Sequence, residues 1–148
     1  MMRLDYLCDM QITLNEGQAP VKPYGGEEGP LFVLGSGIIE GKRLRGTVRC
    51  VNHARRRSDG VMLPDLHGVI TTDNDAAILF HMQGLTSWLQ APGGLKGNLL
   101  SWITFETDVE EYRWLNNTPC VVEGAIQLHP DRGATGPTRI YICVNEMI

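Results

Sequence analysis

The sequence has 148 residues, a formal net charge of −4, 43% hydrophobic residues and 20% charged residues. This length and composition predict one globular domain over residues 1–148 and exclude a disordered chain or a membrane-spanning helix, because the apolar runs are short. The acidic balance disfavours nucleic acid as a partner. Since the first residues lack the layout of a signal peptide, we expect a cytoplasmic protein with no membrane partner.

The cysteines and histidines are scattered along the chain. Cys8, Cys50, Cys120 and Cys143 stand singly and far apart, which favours buried free thiols over a disulfide framework or a zinc knuckle. The four histidines could hold a metal only if the fold brought three of them together, and their spacing gives no sign of that. We therefore expect neither a metal nor an organic cofactor.

Alternating apolar and polar residues predict strands along most of the chain. In chain order the predicted strands cover residues 4–14, 31–34, 42–51, 66–72, 76–83, 101–107, 120–128 and 140–148. Residues 15–30 are rich in Gly and Pro and predict a long loop, and residues 84–100 predict a connecting segment with one short helical turn. About eight short strands with almost no helical period predict an all-β fold, an antiparallel barrel or sandwich.

The hairpin predicted around residues 73–75 carries two of the histidines. If Thr72 paired near Ala77, His67 and His81 would lie on opposite faces of the hairpin. Asp65 lies two residues before His67 and would point the same way, so a carboxylate could orient that imidazole. A histidine among apolar neighbours is also common as a hydrogen-bonded core residue.

The segment 102–116 concentrates aromatic and acidic residues. As a strand it places Trp102, Thr104 and Glu106 on one face and apolar residues on the other. A carboxylate beside a hydroxyl and a large ring is the composition of a pocket wall. The alternative is that Glu106 ends a strand in solvent and that the aromatic residues are ordinary core.

Two sets of motifs resemble a known family. The first is the glycine spacing G-x-G-x-x-x-G-x-x-L-x-G-x-V from Gly35 to Val48; the second, which is more specific, is F-E-T at residues 105–107 with Y-x-W-L-N at residues 112–116. Together they resemble the family called domain of unknown function 3237, over nearly the whole chain. The resemblance implies a small calycin-like antiparallel β-barrel that is often a homo-oligomer. It also implies no known cofactor, with some relatives acting on small molecules in secondary metabolism.

The chain departs from the family pattern at two places. Where the resemblance implies Gly-Gly-x-Asp-Trp, residues 50–55 read C-V-N-H-A-R, and His67 stands where relatives tend to carry an arginine. If the missing groups were catalytic in relatives, this chain either lost that reaction or moved it to His53, His67 and Glu106.

These observations favour a cofactor-independent enzyme with an aromatic-lined barrel pocket that performs cyclisation, addition, elimination or isomerisation by acid/base catalysis. In this hypothesis the lumen holds Glu106 as general acid or base and His67, oriented by Asp65, as its partner. The predicted substrate-binding residues are His53, His81, Trp102, Thr107, Tyr112, Trp114 and Asn116. The Y-x-W-L-N block can equally be explained as a structural turn.

Two other functional classes fit the same sequence. A non-catalytic barrel that binds a small hydrophobic ligand would need the same aromatic interior. An assembly module would use Arg43, Arg45 and Arg49 on one strand face against acidic partners of a neighbouring subunit. The direction of the Glu106 and His67 side chains separates the enzyme from the alternatives.

Overall fold

The computed structural model describes residues 1–18, 21–129 and 133–147. The predicted loop at residues 15–30 and the predicted last strand extend over residues 19, 20 and 148, which lie outside the described residues. The elements in chain order are β1 (Met2–Gln18), β2 (Gly29–Pro30), β3 (Phe32–Glu40), β4 (Gly46–Asn52), β5 (Arg55–Arg56), β6 (Met62–Leu63), β7 (Asp65–Thr72), β8 (Ala77–Ala91), β9 (Gly94–Glu106), a 3₁₀ helix (Glu110–Asn117), β10 (Cys120–His129) and β11 (Gly133–Asn145).

Eight long strands close into one antiparallel barrel, which confirms the predicted fold class. Their order is β8-β7-β4-β3-β1-β11-β10-β9, and β9 pairs back onto β8. Because the barrel is closed, each of these eight strands is paired with a neighbouring strand on both sides. The short strands β2, β5 and β6 continue the sheet outward from β8 and lie beside one end of the barrel.

Residues 84–100 differ from the prediction of a connecting segment with a helical turn. They extend β8 and begin β9, and the two strands pair from Leu79 opposite Glu106 to Ala91 opposite Gly94. The turn between them is tight because Gly93 adopts a φ of 86°, a conformation that only glycine takes without strain. The Pro and Gly residues that suggested a long break therefore form the tip of one long hairpin.

The barrel is filled at one end and hollow at the other. At the filled end the 3₁₀ helix lies across the opening and buries Tyr112 and Leu115. The Tyr112 hydroxyl donates to Asn74 Oδ1 at 3.0 Å, and Asn74 lies in the β7–β8 turn. The helix therefore closes the barrel and is attached to the hairpin beneath it. Within the described residues, no helix has the length and apolar character needed to cross a membrane.

Leu115 is 1% exposed at the centre of this closed end. We expect Leu115→Ala to lower the free energy of unfolding by about 2–5 kcal/mol, because it leaves a cavity under the helix. Urea unfolding followed by circular dichroism measures this. Leu89→Ala is the control, since Leu89 is 69% exposed and its truncation should change stability by less than about 0.5 kcal/mol. Equal effects of the two substitutions would contradict the closing role of the helix.

The buried thiols make the free energy of unfolding depend on pH in alkaline solution. Burial raises the pKa of Cys8 to about 12, that of Cys50 to about 11 and that of Cys120 to about 12, against an ordinary value of 9.0. Above about pH 9 the unfolded chain therefore releases protons that the folded chain retains, and the free energy of unfolding must fall as the pH rises.

We expect urea unfolding at about pH 10 to give a lower free energy than at about pH 8, with a shallower fall in Cys8→Ala, which lacks one of these thiols. The comparison with the variant separates the thiols from tyrosine and lysine, which also titrate in alkaline solution. Identical pH slopes in the two proteins would refute the contribution of Cys8.

Candidate functional site

A cavity of about 690 Å³ occupies the barrel lumen at the end opposite the 3₁₀ helix. Its walls are mostly aliphatic, and side chains from most of the barrel strands contribute to them because every second residue points inward. The lining includes Met10, Ile12, Leu66, Met82, Leu99 and Ile126. Trp88 is the aromatic residue among the described lining residues. The predicted aromatic lining was therefore wrong: the lumen is aliphatic.

A few polar side chains face this cavity. Asn52 is 7% exposed, and its Oδ1 accepts a hydrogen bond from the Asp65 backbone N–H at 3.0 Å. Its amide NH₂ makes no hydrogen bond to any described residue. The hydroxyl of Thr86, which is 5% exposed, also has no partner among the described residues. These groups can hydrogen-bond a ligand in the lumen, where an unpaired polar group is costly.

Among the described residues, the Ser101 hydroxyl is the one fully buried side-chain polar group that has no hydrogen-bond partner. Ser101 lies on β9 between Leu99 and Ile103, is 2% exposed, and its Oγ makes no hydrogen bond there. Ser101 pairs with Gly84, whose missing side chain leaves space beside the hydroxyl. The inner walls of β8 and β9 thus carry two neighbouring unpaired hydroxyls, those of Thr86 and Ser101.

The mouth of the cavity is charged. Glu16 and Arg56 line it, together with His129 at the end of β10. The guanidinium of Arg56 also lies 3.7 Å from a carboxylate oxygen of Glu27. A ligand that entered the lumen would pass these titratable groups and then contact mostly aliphatic walls, Trp88 and a few polar groups.

The two histidines of the β7–β8 hairpin lie together on the outer face of the barrel. His67 pairs directly with His81, and the rings stack with centroids 4.2 Å apart and planes 15° apart. Asp65 Oδ1 lies 2.7 Å from His81 Nε2 and 3.5 Å from His67 Nε2. The Trp102 ring stands edge-on to His81 at 6.1 Å. We call Asp65, His67 and His81 the outer cluster.

This placement differs from the predicted one, which put one histidine on each face and His67 inside. The β7–β8 register is shifted by one residue from the assumed one: Thr71, instead of Thr72, pairs with Ala77, and the Thr72 N–H donates to Ala76 O at 2.9 Å. A register change of one residue turns every side chain of a strand to the other face. Both histidines therefore point outward, and their neighbours Leu66 and Met82 point into the cavity.

Glu106 also lies outside the lumen, contrary to the expected interior position. It ends β9 on the outer face, opposite Leu79, and is exposed, whereas its neighbour Phe105 is 2% exposed in the core. Trp102 shares the outer face and is 49% exposed. The structure therefore does not bring Glu106 to His67 or to the cavity.

The other predicted substrate-binding residues lie at the closed end or on the outside. Asn116 Oδ1 accepts from the Thr107 N–H, and its Nδ2 donates to Thr107 O, both at 2.9 Å. Trp114 lies under the Arg43 guanidinium, 3.8 Å from its ring centroid. His53 lies outside, its ring 4.9 Å from that of Phe32. The F-E-T and Y-x-W-L-N residues thus hold the 3₁₀ helix to the end of β9.

The cavity residues were missed because no sequence motif marks them. Asn52, Thr86 and Ser101 are isolated polar residues in apolar strands, and the sequence gives no register that would place them together. The available signal was the inward position of every second residue in β8 and β9, which becomes readable once residues 84–100 are recognised as strand.

Comparison with known proteins agrees with this architecture. Residues 2–142 match the model of a family described as "Protein of unknown function (DUF3237)". A beta-barrel-like protein of Acinetobacter baumannii AYE is similar in structure, with a TM-score of 0.80, 18% identity and 97% of each chain covered. A protein of unknown function from Clostridium acetobutylicum ATCC 824 gives a TM-score of 0.79 and 17% identity, with 97% of this chain and 100% of that chain covered.

A structure described as an enzyme from Penicillium herquei is also similar, with a TM-score of 0.65, 22% identity and 94% of each chain covered. No curated protein is significantly similar to this chain in sequence. Because the identities are low, these likenesses establish the barrel fold alone.

The hydrogen bonds of Asn116 give a test of its structural role. We expect Asn116→Ala to lower the free energy of unfolding by about 1 kcal/mol, because the Thr107 peptide groups lose both partners. Asn117→Ala is a matched control: Asn117 is exposed in the same helix, and its side chain makes no hydrogen bond to a described residue. Its effect should stay below about 0.5 kcal/mol in the same urea titration. If Asn116→Ala left the free energy of unfolding unchanged, the structural role of the Asn116 hydrogen bonds would be contradicted.

Proposed function

The chain belongs to the family of proteins of unknown function DUF3237, and from that premise we propose that its barrel binds a small, elongated, mostly apolar molecule in the lumen. The observation that carries this proposal is the cavity of about 690 Å³ inside a barrel whose other end is closed. Cavities of roughly 300–1,000 Å³ with apolar walls and a few polar groups are typical of small-molecule sites.

The lining indicates the chemistry of the ligand. Aliphatic walls favour an apolar body, since removing apolar surface from water contributes about 25 cal/mol per Å². The free amide NH₂ of Asn52 and the hydroxyl of Thr86 favour at least one oxygen acceptor on that body, such as a carbonyl. A ligand of this kind would satisfy polar groups that are otherwise unpaired in the lumen.

Acid/base catalysis on such a ligand is the second candidate function. Glu16 and His129 line the same mouth, so a carboxylate and an imidazole stand where a ligand's polar end would lie. The likeness to a Penicillium herquei structure described as an enzyme supports this candidate. For this candidate function, the reaction class is the one that the sequence predicts: cofactor-independent cyclisation, addition, elimination or isomerisation. The acid/base groups are the mouth residues instead of Glu106 and His67.

Two adjacent residues of β9 offer a matched test of lumen binding. Leu99 lines the cavity and is 4% exposed, whereas Leu100 points outward and is 62% exposed. We expect Leu99→Trp to weaken binding of the apolar dye anilinonaphthalene sulfonate by at least about tenfold, because the indole fills the lumen. Leu100→Trp, on the opposite face, should leave the affinity unchanged.

Fluorescence titration of the dye measures both affinities, and circular dichroism verifies that each variant is folded. Equal dye binding by the wild type and Leu99→Trp would place the dye site outside the lumen and overturn the proposal. If Leu99→Trp failed to fold, displacement of the dye by a long-chain ketone would decide. Displacement of the dye by the ketone supports a site in the lumen, and a lack of displacement refutes that site.

A further inference from the structure

We propose that the outer cluster, Asp65 with His67 and His81, binds one divalent first-row transition ion on the outside of the barrel. The side chains converge: the potential ligand atoms of the three residues all lie within 4.8 Å of one another. This site is separate from the proposed lumen site, because the three side chains point away from the cavity.

The separations between the ligand atoms are close to those of a metal site. Metal–nitrogen and metal–oxygen bonds of about 2.0–2.1 Å in a tetrahedral site place neighbouring ligand atoms about 3.3 Å apart. Asp65 Oδ1 already lies 2.7 Å and 3.5 Å from the Nε2 atoms of His81 and His67. Imidazole lone pairs lie in the ring planes, and the stacked planes are 15° apart. His67, whose side chain is 57% exposed, would therefore turn out of the stack so that both Nε2 atoms face one ion.

The backbone under these residues is fixed. His67 and His81 are direct cross-strand partners in the closed barrel. The backbone of Asp65 is held on both sides: its N–H donates to Asn52 Oδ1, and its carbonyl accepts from the His53 N–H at 2.9 Å. A site on paired strands is preorganised, so an ion would not have to order a flexible loop.

Inside the cluster, Asp65 hydrogen-bonds one of the two imidazoles. Asp65 makes a short hydrogen bond with His81, whereas His67 Nε2 stands at 3.5 Å from the same oxygen. An ordinary hydrogen bond explains one histidine beside the carboxylate and gives no reason for a second one stacked on it. One cation between the three groups would engage the carboxylate and both Nε2 atoms together.

The ligand types select the ion class. Two imidazoles and one carboxylate suit zinc, copper, nickel or iron(II), whereas magnesium and calcium prefer sets made only of oxygen. Three protein ligands leave at least one coordination position for water. That position would face solvent, because the His67 side chain is 57% exposed and those of His81 and Asp65 are about a third exposed.

Isothermal titration calorimetry with zinc chloride, on full-length protein freed of metal by a chelator, tests the proposal. We expect saturable binding of one ion per chain. His67→Gln, His81→Gln and Asp65→Asn should each weaken it by at least about tenfold. His53→Gln is the control, since its imidazole lies near by but outside the three converging groups, and it should keep the wild-type zinc affinity.

Trp102 supplies a second readout that depends on position. Its ring lies 6.1 Å from that of His81, so copper(II) in the cluster should quench its fluorescence, and the quenching should disappear in His67→Gln. Because the substituted side chains are at the surface, circular dichroism should show unchanged folds. Absence of zinc binding at millimolar concentration, or equal zinc affinity in the wild type and all three ligand variants, would overturn the proposal.

Discussion

The register in which β8 pairs with β7 on one side and β9 on the other decides what each residue of this barrel can do. The pairings of β8 with β7 and with β9 contain no register shift, so one inward residue in each of these strands fixes the direction of the others. With Ile70 opposite Ile78 and Phe80 opposite Phe105, the interior receives aliphatic and aromatic side chains. The histidines and Glu106 are thereby assigned to the outer surface. The hollow lumen and the outer cluster are two consequences of the same pairing.

The two ends of the barrel differ, since one is filled and closed and the other surrounds the cavity. The 3₁₀ helix closes one end with Tyr112 and Leu115, and hydrogen bonds from Asn74 and Asn116 attach it to the strands below. With that end filled, the core satisfies the packing that a small domain needs. The other end can then remain open around a cavity without exposing the whole interior. The residues that fill the closed end and those that line the cavity are thus different positions along the same strands.

The fold could be predicted because alternation is a local property. Leu4 to Leu14 and Leu44 to Cys50 alternate visibly, and the F-E-T and Y-x-W-L-N residues resemble a family whose model matches residues 2–142. The location of the site could not be predicted, because it depends on register. Asp75 takes a φ of 67° in the hairpin turn, and Thr71 instead of Thr72 pairs with Ala77. This shift of one residue in register places His67 on the outside.

The aromatic and polar residues that the sequence marks as candidate site residues have structural roles instead. Tyr112, Trp114 and Asn116 have contacts that explain their presence at the closed end. The residues that line the lumen, such as Leu99 and Met82, look like ordinary core in the sequence. They differ from ordinary core residues only because no other side chain of the barrel fills the space opposite them. An unfilled volume is a property of the whole packing, and no single residue type signals it.

Asn52 touches both sides of the barrel wall. Its side-chain oxygen holds the backbone N–H of Asp65, and its amide group borders the lumen. If a lumen ligand bound to the amide group shifted the Asp65 backbone, a cation on the Asp65 carboxylate would shift the amide group in return, and thermodynamic linkage would make the two effects equal in free energy. Through Asn52 the two proposed sites, on opposite faces of the barrel wall, share one side chain.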